Sequence, residues 1–169
     1  SHQSGLTYGF TNRTNVDAAY RTLGVGRHKQ QTLKSMVEAL AEIPLEFSPG
    51  TRWNYSVATD VVGYLVEMIS GQRFDTYLAE HIFQPLKMID TGFYVTERGI
   101  SRFAANYGFV EGGTPRLLDD PMQSTYRNVP TFFSGGGGLV STADDYLSFC
   151  KMLLQRGQSN GERLLSRKT

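Results

Sequence analysis

Tyr55 is the residue best placed to do chemistry. It closes the run Phe47-Ser-Pro-Gly-Thr-Arg-Trp-Asn-Tyr55, a turn followed at once by an expected helix. A phenol just before a helix N-terminus feels a positive dipole end, which favours phenolate. A nearby ammonium would add to that and make the phenol a base usable near neutral pH. Nine tyrosines compete for such a role, and a core or surface position is commoner for any one of them. Ser148-Phe-Cys-Lys151 spells Ser-x-x-Lys, in which a lysine one helical turn on takes the serine proton. Here Ser148 falls inside the last expected helix, where a solvated or back-bonded serine is the ordinary outcome. Lys168-Thr169 matches only the start of Lys-Thr-Gly and reads as chance. No Gly-x-Ser-x-Gly occurs, so the nucleophile elbow of α/β-hydrolases is absent. Gly135 to Gly138 lead into Leu139 rather than Lys-Ser/Thr, so the run is a tight passage that a Cβ would block, not a phosphate cradle. The acidic pairs Asp119-Asp120 and Asp144-Asp145 read as solvated or capping groups. His81 suits the negative end of its helix. His2 is a loop histidine that admits a functional or a plain polar role.

Composition narrows the classes. The 169 residues suffice for one ordinary domain, with 40% apolar and 20% charged residues. The net charge of +1 and the scattered Lys and Arg carry no nucleic-acid footprint. No run is apolar for long enough to suggest a membrane span. Cys150 is the single cysteine, and His2, His28 and His81 lie far apart, so no metal-ligand spacing appears. The compartment stays open.

The elements that must position Tyr55 are mostly helical. Ser1 to Asn15 reads as a loop, and a short helix is expected over Val16 to Leu23, before Gly24 and Gly26. Thr32 caps a helix bearing Leu33, Met36, Val37, Leu40 and Ile43, stopped by Pro44. Ser56 is expected to cap the next, running to Ile69, with Val57, Val61, Tyr64, Leu65, Met68 and Ile69 as its inward stripe and Gly71 as its stop. Another runs from Phe74 to Phe83, ended by Pro85. Tyr107 and Phe109 alternate in an expected hairpin that Gly112-Gly113 turns. Asp119 to Pro130 is loop-like. The last helix starts at Ser141-Thr-Ala-Asp144, turns Tyr146, Leu147, Cys150, Leu153 and Leu154 inward and stops at Gly157. No strand–helix alternation occurs, so the expected class is mainly α with a small β element.

Four segments, in order, carry a resemblance. His2-Gln-Ser-Gly-Leu6, Phe47-Ser-Pro-Gly-Thr-Arg-Trp-Asn-Tyr-Ser56, Phe83-Gln-Pro-Leu-Lys-Met88 with Asp90-Thr-Gly-Phe93, and Gly136-Gly-Gly-Leu-Val-Ser-Thr-Ala-Asp-Asp145 resemble blocks of class C β-lactamases, penicillin-binding proteins and related serine esterases. Together they cover most of the chain. The resemblance implies the helical lobe of the β-lactamase/transpeptidase-like fold, spanning 1–169 as a single lobe, with no cofactor and no metal. It implies Tyr55 as the general base that activates a serine and later protonates the leaving group. It places Val57, Gly136 and Gly137 beside the substrate. The Ser-x-x-Lys helix and a Lys/His-Thr/x-Gly strand of that family would lie outside this chain, so alone it should be inactive. The partners implied are a small ester, β-lactam or peptide substrate and the α/β lobe of the same protein. The compartments implied are bacterial periplasm or cytoplasm. Two departures stand out. Tyr55-Ser56-Val57 replaces the Tyr-x-Asn of the β-lactamases, which favours the esterase branch, and Lys87 stands where the "PLGM" stretch has glycine. The rival reading is a non-catalytic binding or structural module on the same scaffold. An excised lobe would also expose apolar surface beside Tyr55 and loosen Ser1 to Asn15 and Asp119 to Pro130.

Overall fold

The structure, a computed structural model, describes residues 1–26, 31–109 and 113–168. The chain divides into two compact units, Ser1–Tyr77 with Pro130–Gly138, and Leu78–Val129 with Leu139–Thr169. The expected class, mainly helical with small β elements, is what the described residues form. His28 and Gly112 lie outside those residues.

The first unit holds α1 (Asn15–Thr22), α2 (Leu33–Ala41) and α3 (Ala58–Ser70). α1 and α2 both begin in capping boxes. Thr14 accepts from the Asp17 amide and Thr32 from the Ser35 amide, while the Asp17 and Ser35 side chains reach back. Tyr20, Leu33, Met36, Leu40, Val57, Phe132 and Phe133 are buried in this unit. Gly71 ends α3 in the left-handed region, as expected. Two expectations about α3 fail. Its N-cap is Val57, with no side-chain cap bond, because Ser56 is fully buried and its hydroxyl meets His2 Nδ1 at 3.3 Å as well as the Ala58 amide. The expected apolar stripe is inward only in part: Val57 is buried and Val61 and Tyr64 are half-buried, whereas Leu65, Met68 and Ile69 are 49%, 63% and 85% exposed. The buried face carries Asp60 and Gly63 instead. The glycine run crosses there so closely that a Cβ on Gly135 would stand 2.1 Å from the Thr59 carbonyl oxygen. A helix met by bare backbone shows its small face inward and leaves its large side chains outside.

The second unit begins where α4 (Phe74–Leu78) continues into a π-turn over Ala79–Phe83, so the expected helix to Phe83 is present with a wider last turn. Phe83, Leu86, Met88 and Met152 form its core, with Ile82, Phe149 and Leu165 packed on them. β1 (Asn106–Phe109) and β2 (Pro115–Asp119) pair antiparallel, Tyr107 opposite Leu117. α5 (Ala143–Leu154) is capped by Thr142 through the Asp145 amide. Its inward residues are Asp145 and Met152, whereas Tyr146, Leu147, Cys150, Leu153 and Leu154 are exposed. The registration comes from Asp145, whose carboxylate accepts from the Asp90 amide and the Thr91 hydroxyl, each at 2.8 Å. An acid committed to those donors fixes which side of the helix faces in. α5 ends at Leu154 with Gln155 as its C-cap, so the stop comes before the expected Gly157. Arg156 and Gly157 follow in the left-handed region, and then a second small hairpin, β3 (Gln158–Ser159) with β4 (Glu162–Arg163). Ser148 is back-bonded to the Asp144 carbonyl at 3.1 Å, as expected for a mid-helix serine.

Two positions lead to stability tests. Lys87 has φ +58, which accounts for glycine in the resembled turn. A side chain in the left-handed region costs roughly 1–2 kcal/mol, partly offset by glycine's greater unfolded freedom. Lys87→Gly should therefore raise the urea unfolding free energy by about 0.5–1 kcal/mol with an unchanged m-value. Asp17 is buried, and the Thr11 hydroxyl at 2.6 Å above all holds its carboxyl well below the usual range. Burial opposes that shift, and the Arg13 and Thr14 amides and the Arg21 guanidinium add to it. With the folded value below an unfolded value of about 3.9, the stabilisation is present above that pH and drains away as acid is added. Asp17→Asn should start with a lower urea midpoint at pH 7 and lose less of it on going to pH 3.

Candidate active site

A backbone seam in the first unit builds the surroundings of Tyr55. The carbonyls of Gln3 and Gly5 accept from the Gly50 and Glu46 amides, each at 2.8 Å. The His2 carbonyl accepts from the Asn54 amide at 2.8 Å, that of Leu6 from the Asn54 side chain at 2.8 Å, and that of Thr7 from the Val57 amide at 3.3 Å. The seam needs the turn at Pro49-Gly50, closed by the Thr51 amide on the Ser48 carbonyl, with Gly50 at φ +83. It also needs Gly5, at φ +81, whose Cβ would stand 2.4 Å from the Phe47 carbonyl oxygen.

Held this way, Tyr55 is half exposed between two rings. His2 lies 4.9 Å from it and Tyr8 5.0 Å, centroid to centroid. Trp53 continues the row beyond His2 at 6.0 Å, and Phe10 continues it beyond Tyr8 at 4.9 Å. Phe10, Trp53 and Tyr55 are exposed. The Ser56 amide donates to His2 Nδ1 at 3.3 Å, which makes Nδ1 the accepting nitrogen. Burial, then the charge of Asp60, then Tyr55 through charge and a hydrogen bond push the Tyr8 phenol up to about 12. Tyr8 therefore keeps its proton at physiological pH and is the standing donor of the pair.

Behind the rings, Asp60 in the first turn of α3 is buried. Its carboxylate accepts from the Ser134 hydroxyl and, at 3.3 Å, from the Gly136 amide, which also donates to Ser134 Oγ at 3.0 Å. A Cβ on Gly136 would meet the Thr59 hydroxyl at 2.8 Å, whereas Gly137 has open space. Val57 is 1% exposed and offers its surroundings no free side-chain surface. Among the described residues no group of His, Cys, Asp or Glu is arranged to hold a metal ion, and no helix is long and apolar enough to cross a membrane.

The sequence model of the family described as Beta-lactamase matches residues 1–169. The chain belongs to the beta-lactamase family. It is 40% identical over 166 residues to Protein Rv1367c of Mycobacterium tuberculosis, covering 98% of this chain and 40% of that one. It is 32% identical over 164 residues to Esterase EstB of Burkholderia gladioli, covering 87% and 41%. Among solved structures, EstCE1, a hydrolase with promiscuous acyltransferase activity, superposes with a TM-score of 0.79 at 26% identity, over 97% of this chain and 46% of that one. This chain thus spans about 40% of the length of the curated relatives named here. A penicillin-binding protein homologue from Pyrococcus abyssi, 18% identical with a TM-score of 0.65, shares the fold.

Tyr55, Val57, Gly136 and Gly137 all fall in the first unit. Tyr55 and His2 come together through the seam. Tyr8, Asp60 and Ser134 were not anticipated. Asp60 and Gly63, three residues apart and hence on one helical face, were the available sign that a backbone crosses there. The seam itself can be tested. Gly5→Ala meets both a carbonyl and an unfavourable φ and should cost more than ~2 kcal/mol, while Gly50→Ala meets only the φ penalty and should cost about 1–2 kcal/mol. Equal losses in urea titrations of the two variants would remove the close-approach argument.

Proposed function

We propose that this chain is the helical lobe of a serine hydrolase that cleaves esters through an acyl-enzyme, with Tyr55 as its general base. The observation that carries this is the placement of Tyr55: exposed, fixed between His2 and the protonated donor Tyr8, in a family whose relatives include proteins named as esterases. The serine and its lysine partner come from outside these residues. The serine oxygen attacks the ester carbonyl as its proton passes to Tyr55. That proton then goes to the departing alcohol, leaving an acyl-serine that water cleaves by the same proton route in reverse. Gly136, with its amide tied to Asp60 and Ser134, and Gly137, with open space beside it, form the backbone edge that faces substrate. Valine at position 57 supplies no amide for a lactam or peptide, and being buried it supplies no other contact. This favours esters over β-lactams.

The test compares the chain within its complete reading frame and by itself. In the complete protein, Tyr55→Phe should lower kcat for p-nitrophenyl acetate by about 10²–10⁴-fold with little change in KM. The 169-residue chain should neither turn over this ester nor take up a fluorophosphonate probe. Labelling of the isolated chain at Ser148, or a full-length Tyr55→Phe enzyme of undiminished kcat, would overturn the proposal.

A further inference from the structure

The residues leading into Tyr55 line an open recess of about 260 Å³, just below the size of pockets for drug-sized ligands and suited to a smaller one. Arg13, Glu46, Phe47, Arg52, Trp53 and Asn54 contribute to its walls. Its charges are unbalanced. Arg13 Nη2 donates to the neutral Asn54 side-chain oxygen at 3.1 Å. Arg52 lies over the Phe47 ring, 4.8 Å from its centroid, and makes no hydrogen bond to a described residue. Among the described residues neither arginine stands in an ion pair. Glu46 is the one carboxylate lining the recess, and it accepts the Thr14 hydroxyl. Stacking on a ring engages the face of a guanidinium and leaves its in-plane N–H groups free, in the fork that fits a carboxylate. Trp53, 65% exposed, offers a flat apolar wall beside that fork.

The geometry points to a binding site in this recess for a small carboxylate-bearing ligand with a flat or apolar body. The acid group pairs with Arg52 and Arg13, and the body lies against Trp53. Two guanidiniums against one engaged carboxylate leave the recess attractive to an anion. The site goes beyond the reading of Tyr55 as a base and does not need it, since binding involves no nucleophile.

Trp53 is the only tryptophan in the chain, so its emission reports on this recess alone. The experiment titrates phenylacetate, and separately its uncharged isostere phenylacetamide, into the 169-residue chain under selective tryptophan excitation. Phenylacetate should give a saturable emission change, with phenylacetamide weaker by roughly tenfold or more. Arg52→Gln and Arg13→Gln should each abolish the preference for the acid while far-UV circular dichroism stays unchanged. Lys34→Gln removes an exposed cation that does not line the recess and should leave the titration as it was. Tyr55→Phe should do the same, so loss of the base reading and loss of this site are separable outcomes. Equal affinity for acid and amide, no saturable response, or a Lys34→Gln loss as large as that of Arg52→Gln would each overturn the proposal.

Discussion

The carbonyls of His2, Gln3, Gly5, Leu6 and Thr7 take their hydrogen bonds from the segment between Glu46 and Val57, and the surroundings of Tyr55 depend on that seam. Neither strand of it is a regular element. Both would be loops with unpaired backbone groups if separated, and those groups would have to be satisfied by water. Joined, they bring His2, Trp53 and Tyr55 into one row of rings and bury Ser56 and Thr7 beneath it. Because an extended segment and a turn can meet this closely only where a side chain is absent, Gly5 decides whether the row forms.

A second close approach supports the first. Gly135 and Gly136 lie against the opening turn of α3, and Asp60 fastens them through Ser134 and the Gly136 amide. That contact explains why α3 turns a face of Asp60 and Gly63 inward and leaves Leu65, Met68 and Ile69 outside. Hydrophobic periodicity identifies a helix but assigns its inward face only when the neighbour is packed by large side chains. α5 repeats the lesson in the second unit, where Asp145 rather than the leucines sets the rotation.

Helix existence, the cap at Thr32, the stop at Gly71, the turn at Pro49-Gly50 and the hairpin after Phe103 are legible because each rests on local chemistry: a hydroxyl, a fixed φ, an absent Cβ. The start of α5, read at Ser141 with Asp144, falls one residue on, at Thr142 with Asp145. The Ser56 cap was misread because a distant residue, His2, holds that serine, and no local signal reports such a partner. Tyr55 was legible by its place in a motif. Its ring neighbours were not, since Tyr8 sits 47 positions earlier and reaches it only through the seam.

The two close approaches meet electrically at Tyr8. The carboxylate of Asp60 clasps the glycine run, and its charge adds to burial in keeping the Tyr8 phenol protonated. Tyr8 in turn is hydrogen-bonded to Tyr55. One buried acid therefore serves two purposes. It anchors the backbone at Gly136, and its charge adds to burial in raising the phenol of Tyr8 beside Tyr55. Replacing Asp60 by a neutral residue would therefore loosen the glycine run and lower the Tyr8 phenol together, burial still holding the phenol above its ordinary value, so the backbone at Gly136 and the electrostatics beside Tyr55 are linked through one carboxylate.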